Sequence, residues 1–232
     1  MIATPGLQIP LPVHLRDDAT LENYLPAGEG DALMGTLGQL QSGREQSMFL
    51  HGGEGSGKSH LLQAFCHLLP ESSLYLPMGA LSTYAPQEVL AGAEGMRLVC
   101  LDDLQQVVGM PEWERALFNL FNESRERGHA LLLAADVAPR NLDISLPDLQ
   151  SRFSWGVVYH LAAPDDERRC EILQFRARQR GLELPVEVAK FLVNRVPRSM
   201  DTLLELLDQL DRASLAQKRR LSIPFVKQIL EL

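Results

Sequence analysis

The stretch HGGEGSGKSH, residues 51–60, decides the fold. It contains G-x-x-x-x-G-K-S from Gly52 to Ser59, with SMFLH before it and Leu61, Leu62 and Phe65 at helical spacing after it. Each part of the pattern has a physical reason. The glycines let the backbone curl until several N–H groups point inward at phosphate oxygens, and Lys58 reaches the outer phosphates. The Ser59 hydroxyl can join a Mg2+ shell, and the helix starting there adds the positive end of its dipole. The spacing predicts a nucleotide site between a strand and a helix. A chance glycine-rich turn is the alternative, and the strand–loop–helix context speaks against it.

Working outward, LVCLDD at residues 98–103 supplies the partner motif. A buried strand ending in a carboxylate can hold the Mg2+ shell, which assigns Asp102, and Asp103 is then placed to polarise an attacking water. Short apolar runs alternate with amphipathic stretches throughout this half: 47–51 with 58–69, 74–76 with 86–93, 97–101 with 111–127, 130–135 with 147–153, and a last run at 157–161. Near-continuous apolar strands between helices describe a parallel sheet covered on both faces. From Pro164 onward only helical spacing remains, over 165–180, 185–196, 199–218 and 224–230. The expected organisation is an N-terminal segment at 1–16, an α/β nucleotide-binding domain at 17–163 with a five-stranded parallel sheet, and a small all-α domain at 164–232.

Composition bounds the function. The chain has 232 residues, 45% apolar, with 22 basic against 30 acidic residues and a net charge of −8. No domain-wide positive field exists to attract nucleic acid. The apolar runs are too short to cross a bilayer, and no signal peptide opens the chain. Cys66, Cys100 and Cys170 lack metal spacing and fit core thiols in a reducing, cytoplasmic setting. Trp113 and Trp155 fit packing residues.

The phosphate loop, the paired acids Asp102 and Asp103, the helical C-terminal part and LPDLQSRF at 146–153 together resemble the AAA+ ATPases of the bacterial replication initiator (DnaA) clade. The resemblance covers roughly residues 17–232 and implies ADP or ATP with Mg2+, the metal held by Ser59 and Asp102. TLENYL at 20–25 resembles the lead-in that flanks the base, so Leu21, Asn23 and Tyr24 join Gly53, Glu54, Gly55, Ser56, Gly57, Lys58, Ser59 and His60 as nucleotide-binding residues. AADVAPRN resembles the sensor-1 region and gives Asp136. PRSMDTLL resembles the start of the third lid helix and gives Arg198 as sensor 2, with proline and Thr202 departing from the family pattern. L-x-S-R in the family carries an arginine that reaches a neighbour's ATP, which here is Arg152. The alternatives are a surface arginine at a helix end and, for Arg198, a solvated basic residue at a helix start. The initiator continues into a helix-turn-helix domain that reads duplex DNA. This chain stops at Leu232, so sequence-specific DNA recognition of that kind is not expected.

Ahead of all this lies QIPLPV, residues 8–13. Pro10 and Pro12 keep it extended, while Ile9, Leu11 and Val13 are apolar and Gln8 carries a directional amide. It resembles the short peptides that dock on the bacterial DNA polymerase sliding clamp, so Gln8, Ile9, Leu11, Pro12 and Val13 are the expected clamp contacts. An apolar arm packing on its own domain is the alternative. Together these resemblances imply a negative regulator of replication initiation. It would be moored near the nucleoid by the clamp, would supply Arg152 in trans to ATP held by the initiator, and would hydrolyse ATP slowly by itself. A helicase-loader-like ATPase or a nucleotide-gated clamp adaptor are the competing readings. A homodimer through the arginine surface stays open.

Overall fold

Five strands, β1 (Ser47–His51), β2 (Ser73–Pro77), β3 (Leu98–Asp102), β4 (Ala130–Ala135) and β5 (Val157–His160), form one parallel sheet in the order β2-β3-β4-β1-β5. They are seen in a computed structural model that describes residues 15–26, 30–41, 46–196 and 199–231. Position in the sheet explains composition. Strand β3 is buried at every residue and β4 at all but its first, because central parallel strands are covered on both faces. The edge strand β5 instead alternates, exposing Val158 and His160.

Period-two alternation sends side chains to two separate cores. Phe49 joins Val99, Leu101, Leu131 and Leu133 on one face. Met48 and Leu50 join Cys100, Leu132 and Ala134 on the other. Helices α1 (Gly30–Gln41) and α2 (Lys58–Leu68) cover the second face, and the short α3 (Met78–Leu81) and α4 (Pro86–Val89), with α5 (Pro111–Glu126) and α6 (Pro147–Phe153), cover the first. Helix α1 was not expected from the sequence. Gly35 and Gly38 weaken its propensity, yet Leu33, Leu37 and Leu40 form a buried stripe that holds it. The helix expected over 86–93 stops at Val89, because Gly92 turns left-handed (φ 82°) and a 3-10 turn follows.

Two details fix the α6 region. Glu114 of α5, 1% exposed, accepts hydrogen bonds from the backbone N–H groups of Gly109 (2.8 Å), Ser145 (2.9 Å) and Leu146 (2.8 Å), pinning the loop that enters α6. At the exit, Gly156 runs so close to β1 that a Cβ there would sit 2.0 Å from the Ser47 carbonyl oxygen. Only glycine fits.

The chain divides into two units: one holds the described residues up to Gly53 and Gly57–Leu161, the other Glu54–Ser56 and the described residues from Ala162 onward. The second is helical apart from that loop tip: α7 (Asp166–Gln179), α8 (Val186–Arg195), α9 (Met200–Gln217) and α10 (Ile223–Leu230). Its core is built from Leu173, Val188, Leu192, Leu203, Leu207, Leu210 and Phe225. Asp165 and Ser222 cap α7 and α10 by accepting from Arg168 N and Phe225 N. Cys66, Cys100 and Cys170 are free and buried, and no helix among the described residues is long and apolar enough to cross a membrane.

Candidate functional site

Between β1 and α2 the chain makes the turn that the glycine spacing predicts. Gly55 and Gly57 take left-handed conformations (φ 73° and 94°), and Gly57 caps α2. A Cβ on Gly57 would also come within 3.0 Å of the Tyr24 ring. Lys58 is buried, and its Nζ donates to the carbonyls of Gly52 (2.6 Å) and Gly53 (3.0 Å), which anchors the amine over the loop backbone. Ser56 and His60 are buried as well, while Gly53 and Glu54 are exposed.

The C-terminal end of β3 brings Asp102 to this loop. The carboxylate is 1% exposed and accepts from Tyr75 Oη (2.8 Å) and from Asp103 N (3.0 Å). Burial pushes its pKa above the ordinary value, while a hydrogen bond with Ser59 pulls the other way. Ser59 and Asp102 are therefore in contact. Their donor set, a hydroxyl and a carboxylate, suits a hard divalent cation. The described residues contain no group of three or more His, Cys, Asp or Glu able to hold a metal, so two side chains would need phosphate and water oxygens to complete a shell.

Asp103 adopts a left-handed conformation (φ 55°, ψ 44°), uncommon for a residue with a Cβ and frequent where side-chain aim matters. Gln105 donates to Asp103 Oδ1 (3.1 Å) and accepts from Asp136 N (3.3 Å), so it ties the end of β3 to the end of β4. Gln105 and Tyr75 had no signal in the sequence. His51, at the end of β1 with its ring centroid 5.0 Å from that of His160 and tilted 36° to it, has its pKa lowered by burial and then by the nearby His160, Arg140 and Lys58.

The lead-in lies along α2. Leu21–Asn23 form a 3-10 turn in which Thr20 Oγ1 accepts from Asn23 N, and Asn23 Nδ2 donates to Asp18 O (2.9 Å). The His60 Nε2 contacts Thr20 O at 2.8 Å and its ring lies 5.8 Å from Tyr24, while Arg16 N donates to Gln63 Oε1 (2.9 Å). Leu21 packs into the core beside α1 and α2. Thus Tyr24 lies against Gly57 and His60, Ser59 meets Asp102, and Gln105 links Asp103 to Asp136. The side chain of Asn23 instead closes its own turn.

Arg152 lies apart, in the last turn of α6. Its guanidinium carbon is 4.9 Å from the centroid of Trp155 and 5.9 Å from that of Phe118. Trp113 packs in the core as expected, but Trp155 does not: it is 52% exposed, with Arg125 stacked 3.6 Å from its centroid. Gln8, Ile9, Leu11, Pro12, Val13 and Arg198 lie outside the described residues.

Comparison with known proteins bears on the family and the fold. Residues 90–160 match the bacterial DnaA ATPase domain, and residues 166–230 match the Hda lid domain. The chain belongs to the Hda family of DnaA-related AAA+ proteins. An uncharacterized protein of Haemophilus influenzae is 46% identical over 231 residues, spanning 97% of this chain and 99% of that one. Domain III of the replication initiation protein DnaA from Thermotoga maritima superposes with a TM-score of 0.74 at 25% identity, covering 94% of this chain and 98% of that one. AMPPCP-bound DnaA from Aquifex aeolicus shares the fold at a TM-score of 0.68 and 24% identity, covering 84% of this chain and 66% of that chain. The Hda assignment accounts for the parallel sheet and the helical C-terminal unit, and it makes this chain a DnaA-like AAA+ protein connected with DnaA regulation.

Proposed function

We propose that this Hda-family chain is a nucleotide-dependent negative regulator of replication initiation that acts on ATP bound by DnaA. Its own loop holds ADP or ATP through Gly53–Ser59, with Mg2+ shared between Ser59 and Asp102, and Asp103 and Asp136 border the phosphates. Leu21, Tyr24 and His60 border the base side, Asn23 closes the turn that carries Leu21, and Arg198 is the sensor-2 arginine. The contact of half-buried Ser59 with buried Asp102 supports the metal assignment, because a divalent cation there would offset the desolvation that raises the Asp102 pKa.

The regulatory step belongs to Arg152, offered in trans to the γ-phosphate on DnaA. The single observation that carries this reading is its setting: the guanidinium rests on aromatic rings, and among the described residues it has no carboxylate partner. An arginine supplied to a neighbouring nucleotide accelerates phosphoryl transfer by roughly 10³ to 10⁵. Tethering alone raises local concentration without adding chemistry. Gln8, Ile9, Leu11, Pro12 and Val13 dock the chain on the sliding clamp, which delivers it to DNA-associated DnaA.

The test is a reconstitution from ATP-loaded DnaA, clamp, DNA and this chain, measuring phosphate release with each component left out in turn. Full stimulation should need all four. Stimulation that persists without the clamp, or with Gln8→Ala and Leu11→Ala combined, would remove the docking step from the scheme.

A further inference from the structure

The Trp155 ring connects two arginines, and its position has a consequence for the trans-acting step proposed above, on which the following rests. We propose that Trp155 is a positioning residue: its indole face, steadied by Arg125, sets the orientation in which Arg152 meets a partner's polyphosphate.

Arginines at protein surfaces are commonly held by carboxylates, and this chain has 30 of them to offer. A carboxylate would occupy the guanidinium fork and cancel its charge, and an incoming phosphate would first have to displace it. An aromatic face restrains the guanidinium plane through the ring quadrupole, with about 0.5–2 kcal/mol of attraction, and leaves the N–H edges free for bidentate recognition. Arg152 is held in this second way, by Trp155 at 4.9 Å and Phe118 at 5.9 Å.

The support for the ring is rigid. Trp155 N donates to Arg152 O (3.1 Å), so the two residues share one turn at the end of α6. The next residue is Gly156, whose backbone lies against Ser47 too closely for any Cβ, which fixes where the chain leaves the tryptophan. Arg125, from α5, lies 3.6 Å from the same ring centroid and restrains the indole from another element. A half-exposed tryptophan beside two guanidiniums has the composition of an interface anchor. Preorganisation of this kind lowers the ordering cost when the phosphate arrives.

The experiment compares Trp155→Leu, Trp155→Phe, Arg125→Ala and Arg152→Ala in the reconstituted assay on ATP-loaded DnaA with clamp and DNA, titrating each variant to saturation. Melting temperature and ADP retention by the chain's own loop report folding. We expect Trp155→Leu to lower the maximal rate about tenfold, with less than a threefold change in half-saturating concentration. Trp155→Phe should recover to within about threefold of the original, and the exposed Arg125→Ala, which carries the test if Trp155→Leu does not fold, should lower the maximal rate about threefold. A wild-type maximal rate in Trp155→Leu overturns the proposal. So does an effect confined to half-saturation, or equal loss in Leu and Phe, since either marks a plain contact residue. If Arg152→Ala itself keeps full stimulation, the trans-acting reading fails first and the positioning role falls with it.

Discussion

Asp102 shows how much of the site one residue decides. Burial of its carboxylate raises the pKa, and hydrogen bonds from Ser59, Tyr75 and the Asp103 backbone act in the opposite direction. The Tyr75 bond lowers the Asp102 pKa, so Tyr75→Phe should raise it further. The sign follows directly. A folded pKa above the unfolded 3.8 means the native state holds the proton longer, so this group's contribution to stability declines as pH rises through the folded value. The Tyr75→Phe penalty, about 1–3 kcal/mol where Asp102 is ionised, should therefore shrink as pH falls through that value. Denaturation of both proteins across pH 4–7 checks this; a penalty independent of pH would detach Tyr75 from Asp102. Lys58→Ala should weaken ADP binding about 100-fold, near 3 kcal/mol, by calorimetry, with little change in fold. The spacing of Gly52–Ser59 and the acid that ends β3 were legible because phosphate and metal chemistry dictate residue types at fixed offsets. Tyr75 and Gln63 were not: the Tyr75–Asp102 bond spans 27 residues and the Arg16–Gln63 bond 47, and no local pattern announces such partners.

Elements were legible where periodicity was strong and illegible where tertiary contacts overrode propensity. The apolar runs became strands because central parallel strands bury both faces, and their period-two split into two cores followed from geometry alone. Helix α1 escaped because its glycines weaken the local signal, whereas its leucine stripe matters only once the sheet is present. The bracing of α6 came from outside it, from Glu114 and Gly156. Glu114→Ala should cost about 2–4 kcal/mol, because three N–H groups around a buried carboxylate lose their acceptor. Gly156→Ala should cost about 3 kcal/mol or more, since the added methyl meets backbone that cannot move away. Urea melts at neutral pH measure both, and near-neutral values would mean that α6 is not braced in this manner.

For the whole molecule, the two nucleotide-related assignments separate by function. In the proposed scheme the loop and its acids serve the nucleotide this chain would hold, while Arg152 would serve one held elsewhere. The isolated chain should accordingly retain nucleotide yet turn ATP over slowly, and brisk turnover at low concentration would contradict that division. Trp155, expected from sequence to be a packing residue, is instead half exposed with arginines on its ring, because composition alone cannot tell an inward aromatic from an outward one. The most direct measurement is single-turnover hydrolysis of ATP preloaded on DnaA, mixed with clamp on DNA and either the unaltered chain or Arg152→Ala. The unaltered chain should speed hydrolysis by at least about 100-fold over Arg152→Ala, with clamp association and ADP retention equal in the two proteins. Equal hydrolysis rates at equal clamp association would show that the guanidinium takes no part in the reaction.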